Sequence, residues 1–82
     1  MKILVRTAGL LGKYLPPGPA KNRAEIDVPR GSTITDVMKH LGFPDGSYLV
    51  TLNGMAVPTA ERGTRELYDG DNLALMPPLK GG

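Results

Sequence analysis

The chain closes on Leu79-Lys80-Gly81-Gly82, and the carboxylate of Gly82 is its group best suited to chemistry. Glycine carries no side chain, so two in succession can thread a channel too narrow for any other residue. Such a tail can present its carboxylate to an activating enzyme buried at the far end of that channel. At an ordinary glycine usage of about 7%, roughly 0.5% of chains end this way by chance. The ending therefore takes its meaning from the domain that precedes it. Other reactive groups are few. There is no cysteine, which excludes a disulfide framework, a thiolate metal site and a cysteine nucleophile. His40 is the only histidine, which excludes a multi-histidine metal cluster. Asp69-Gly70-Asp71 offers two carboxylates without further oxygen ligands, a poor cation site, and reads as a structural turn. No nucleophile, base and orienting group can be assembled, so an enzyme acting alone is not expected. Neither a bound metal nor a bound cofactor is expected.

The elements that must carry this tail fit in 82 residues, one small domain with no room for a separate catalytic one. Hydrophobic residues at 40% and charged residues at 22% indicate a globular chain rather than a disordered one. A net charge of +2, with Lys and Arg scattered and no aromatic stacking set, argues against nucleic acid as a partner. The apolar runs are too short for a membrane span, and the first residues lack a signal layout. The expected location is the cytoplasm.

Met1 to Thr7 reads as a strand, with Ile3 and Val5 on one face and Lys2, Leu4 and Arg6 on the other. Between Ala8 and Asn22, Gly9, Gly12, Pro16, Pro17, Gly18 and Pro19 require loop in the second half. Arg23 to Val28 alternates, Ala24, Ile26 and Val28 against Glu25 and Asp27, as a half-buried strand does. Thr33 is a good N-cap with Asp36 three residues on, and Ile34, Val37, Met38 and Leu41 form one apolar helical stripe. Gly42 and Pro44 end that helix. Tyr48 to Leu52 is a third strand, Asn53-Gly54 suits a tight hairpin, and Met55 to Val57 returns until Pro58. Thr59 to Glu66 is polar and irregular, with Ala60 to Arg62 compatible with a helical turn. Asn72 to Met76 is the last strand, closed and stiffened by Pro77-Pro78. The order β-β-α-β-β-β predicts an α+β domain. Its expected core is Ile3, Val5, Ala24, Ile26, Val28, Ile34, Val37, Met38, Leu41, Val50, Leu52, Leu67, Leu73 and Leu75.

This order resembles the β-grasp, ubiquitin-like fold: a mixed sheet of four to five strands on one short helix, with a flexible tail. More narrowly the chain resembles the ubiquitin-like sulfur carriers of the ThiS and MoaD kind. The matching segments are Lys2 to Thr7, Thr33 to Leu41, Val50 to Gly54, Leu67 to Asp71 and Pro77 to Gly82. Pro77-Pro78, an aliphatic residue and then diglycine are closest to the small subunit of molybdopterin synthase. Lys80 departs from that pattern, which usually has a small residue there, and the loop Tyr14 to Asn22 is long and Pro-rich.

The resemblance implies a domain over residues 1–78 and a flexible tail over 79–82. It implies that an ATP-dependent, ubiquitin-activating-like adenylyltransferase adenylates Gly82, with Gly81 giving access. A sulfur donor protein then converts the adenylate to a thiocarboxylate. Sulfur passes to a precursor held by a second enzyme, for molybdopterin the synthase large subunit. Leu4, Leu49 and Met76 point away from the helix and are expected to form a docking patch, joined by Pro77, Pro78, Leu79 and Lys80. A thiamine-type carrier, a modifier conjugated to lysines through Gly82, and an interaction domain with an incidental diglycine are the alternatives.

Overall fold

The computed structural model describes residues 1–44 and 46–77. Pro78, Leu79, Lys80, Gly81 and Gly82, expected in the docking patch and in the tail over 79–82, lie outside the described residues. The elements run β1 (Lys2–Thr7), a 3₁₀ helix (Gly9–Tyr14), β2 (Arg23–Asp27), α1 (Ile34–His40), β3 (Leu49–Leu52), β4 (Met55–Ala56), a second 3₁₀ helix (Thr59–Glu61) and β5 (Asn72–Met76). The five strands form one sheet in the order β2-β1-β5-β3-β4. The first and last strands lie side by side and parallel at its centre, and the other pairings are antiparallel. This is the β-grasp architecture, and it puts the strand that leads into the tail in the middle of the sheet.

Helix α1 forms where its sequence supplies both ends. The Thr33 hydroxyl accepts the Asp36 N–H at 3.2 Å, and the Asp36 carboxylate accepts the Thr33 N–H at 3.0 Å. This capping box satisfies two otherwise orphaned donors. The hydrogen bond from the Thr33 backbone, and after it the Thr33 side chain, hold the Asp36 carboxyl below its ordinary pKa. At the far end Gly42, at φ +80°, donates to the Lys39 carbonyl and Phe43 to that of Met38, a Schellman closure. The β3–β4 hairpin turns on Asn53 and Gly54, at φ 51° and 85°, a type I′ pair with Leu52 opposite Met55.

One face of the sheet buries Ile3 and Val5 of β1, Ile26 of β2, Val50 and Leu52 of β3 and Leu73 and Leu75 of β5. Ile34 and Val37 of α1, with Leu67, close over them. Each large side chain so removed from water contributes about 1.5–3 kcal/mol. Ala24, Met38 and Leu41, expected inside, are only partly buried and pack at the margin. A helix this short covers the sheet's centre with Ile34 and Val37 and leaves its last turn at the rim. Leu15 and Val57 are buried without having been expected there.

Leu15 reaches the core because the loop after β1 folds back instead of running free. At Gly12 a Cβ would overlap the Lys21 carbonyl oxygen, so only glycine allows that backbone approach. The Asn22 side-chain amide donates to the Thr7 hydroxyl at 2.9 Å and the Gly9 carbonyl at 3.1 Å, fixing the loop to β1. Val57 continues the hairpin ladder through its N–H to the Val50 carbonyl at 2.9 Å.

Candidate docking face

The side of the sheet away from α1 is open, and its register fixes which side chains meet there. In one row Arg23 of β2 stands opposite Arg6 of β1, which stands opposite Ala74 of β5, then Thr51 of β3 and Ala56 of β4. In the adjacent row, where the sheet gives out toward Pro77, Leu49 lies directly opposite Met76. Leu49 is 45% exposed, Met76 half-buried and Pro77 exposed.

Leu4 shares this face but not this cluster. It stands opposite Glu25 on one side and Asn72 on the other. Asn72 precedes Met76 by four positions on β5, roughly 13 Å at the rise of a strand. Leu49 and Met76 therefore form one pair just ahead of Pro77, and Leu4 lies apart, half-buried among polar neighbours. Alternation alone had Leu4, Leu49 and Met76 on one face; it carries no information on distance along the strands.

Around Asp69-Gly70-Asp71, at the other end of the sheet, the carboxylates are engaged. Asp69 Oδ1 accepts the Lys2 N–H at 2.7 Å, and Asp71 Oδ2 accepts the Tyr68 N–H at 2.7 Å. Asp71 Oδ1 accepts from Asn53 Nδ2 at 3.0 Å, while Asn53 Oδ1 accepts the Asn72 N–H at 2.9 Å. Acceptors aimed at amides of their own chain make a structural turn. No group of three or more His, Asp or Glu side chains suited to a metal occurs among the described residues. His40 is exposed at the last position of α1, a favourable place for a cation against the helix dipole.

The facing pair Arg6 and Arg23 was missed in the sequence. Both lie on the polar faces of their strands by alternation, but only the β1–β2 register makes them opposite. Leu10, 86% exposed in the first 3₁₀ helix, was also not singled out. Among the described residues no helix is long and apolar enough to cross a membrane.

The fold defines a class, the ubiquitin-like β-grasp domains. The solved structure of SAMP1 from Haloferax volcanii superposes with a TM-score of 0.71 at 22% identity, covering 100% of both chains. ThiS from Geobacter metallireducens gives 0.68 at 17% identity, again over 100% of both chains. A chain from the complex of subunits 1 and 2 of molybdopterin-converting factor from Helicobacter pylori gives 0.64 at 20%, also over 100% of both. No curated protein matches the sequence. The model of the ThiS family matches residues 17–82, and the chain belongs to that family.

Proposed function

We propose that this chain is a sulfur carrier acting through the carboxylate of Gly82. The observation that carries the reading is the ThiS-family match, which runs through Gly81 and Gly82. It is supported by a fold whose central strand, β5, leads toward that tail beside an apolar pair. The Gly82 carboxylate attacks the α-phosphate of ATP on an activating adenylyltransferase, giving an acyl adenylate and pyrophosphate. Sulfide-level sulfur released by a donor protein attacks the acyl carbon, AMP leaves, and a thiocarboxylate remains. The absence of cysteine fits this chemistry, because the sulfur rides on the terminal carbonyl. The chain is then a co-substrate, and ATP is consumed by its partner.

The acceptor we favour is a molybdopterin precursor, on the strength of Pro77-Pro78-Leu79 ahead of the diglycine. The likeness to a chain of the two-subunit molybdopterin-converting factor supports a large subunit as the second partner. A thiamine-type acceptor is the alternative within the same chemistry. Incubation with an activating enzyme, ATP and a sulfur donor, followed by intact mass, tests the reading. An adenylate, then the exchange of one oxygen for sulfur at Gly82, is the expected sequence. A chain left unchanged, or one lacking Gly81-Gly82 that keeps its cellular role, would defeat it. Supplying the thiocarboxylate to each candidate acceptor enzyme separates the molybdopterin and thiamine routes. The likeness to the small archaeal modifier protein 1 favours one further reading, conjugation to lysines. Diglycine remnants on lysines of other proteins would identify that outcome.

A further inference from the structure

We propose that Arg6 and Arg23 form a paired guanidinium site receiving carboxylates on the surface of the enzyme that activates the tail. This rests on the carrier reading above. The two residues are direct cross-strand partners, both exposed on the open face. Side chains so placed have their Cβ atoms about 4.5–5.5 Å apart, and like charges there are destabilising. Glu25 is the acid nearest in register, diagonal to Arg6 and two positions from Arg23 on its own strand. Among the described residues neither arginine makes an ion pair or a side-chain hydrogen bond, with Glu25 or any other group. Among the described residues, nothing compensates these two facing cations.

Their position relates this charge to the tail. Arg6 stands opposite Ala74, three residues before Pro77. Ala74, Thr51 and Ala56 continue the row with small side chains, so a partner can lie flat across it. Leu49 and Met76 in the next row supply apolar contact. A protein surface that receives the tail and rests on the open face would meet this row. Guanidinium forks match carboxylates with two parallel hydrogen bonds, and an acid set between the two also relieves their mutual repulsion. The phosphates of ATP are not the ligand in this arrangement. They are needed at Gly82, and the six residues from Pro77 to Gly82 can extend to roughly 20 Å.

The test is ATP–pyrophosphate exchange by the activating enzyme of the same organism, with the full chain as the varied substrate. In the doubly reversed chain, Arg6→Glu with Arg23→Glu, the KM for the chain should rise about tenfold or more with little change in kcat. The KM for ATP should stay constant. Salt should raise the KM of the unaltered chain and lose that effect in the double variant. Each single reversal creates an Arg–Glu pair, so it should melt no lower than the unaltered chain while still binding more weakly. That separates lost docking from lost folding. An unchanged KM for the double variant, or an effect on the KM for ATP instead, would overturn the proposal. No exchange with the unaltered chain would remove the carrier reading and this inference with it.

Discussion

The two ends of the sheet use charge in opposite ways. At the end formed by Lys2, Asn53 and Asn72, the carboxylates of Asp69 and Asp71 accept hydrogen bonds from the chain itself. There the turn backbone joins in, Gly70 donating to the Lys2 carbonyl at 2.8 Å and Leu4 to that of Asp71 at 2.9 Å. At the end where β5 reaches Pro77, the outer face carries Arg6, Arg23, Leu49 and Met76 instead. Satisfied polar groups lock a segment, whereas uncompensated charge beside exposed apolar area is surface held ready for a partner. The closed end sets the register of β1, β3 and β5. The exit end inherits that register and uses it for display.

Substitutions can break or sharpen this contrast. The largest stability effect should come from Asp71→Ala, which removes the charged acceptor shared by the Tyr68 amide and the Asn53 side chain. A loss of about 2 kcal/mol in urea denaturation is expected. Next comes Thr33→Ala at about 1 kcal/mol. It removes half of the capping box from a residue bridged to Glu66, just ahead of the closed-end turn. At the exit end Leu49→Ser should change stability by less than about 0.5 kcal/mol yet weaken binding to the activating enzyme. A cost matching that of Asp71→Ala would abolish the distinction between the two ends.

The smallest effect is one of pH. The Asp36 pKa is lower folded than unfolded, so the unfolded chain binds more protons in acid and stability rises with pH. That contribution is present above the ordinary carboxylate pKa of about 4 and disappears as pH falls through the depressed folded value. Melting temperatures of Asp36→Asn should accordingly depend less on pH in this acid window than those of the unaltered chain.

Much of the fold is legible in the sequence, because its signals are short. Thr33 with Asp36, Gly42 before Pro44, and Asn53-Gly54 each act through backbone geometry within a few residues. Leu15 escaped notice since its burial depends on a loop folding back, with Gly12 against Lys21, behind a run of prolines. Met38 and Leu41 keep helical spacing with Ile34 and Val37, but periodicity does not tell how far a sheet extends beneath a helix. The site divides similarly. Gly81 and Gly82 are visible as residue types, and Leu49 and Met76 as outward positions; their adjacency is not.

What the sequence determined by itself is the set of elements, their inward and outward faces, and a terminal diglycine that the ThiS-family match includes. Only the tertiary structure decided that β5 inserts between β1 and β3, so that Leu49 meets Met76 and Leu4 stands apart, and that β2 pairs with β1 in the register that sets Arg23 opposite Arg6. Alternation follows from the period of a single strand, a local property of the backbone. Neighbourhood follows from register between strands distant in the chain, which is set by burial of one shared face and by closure of the turns.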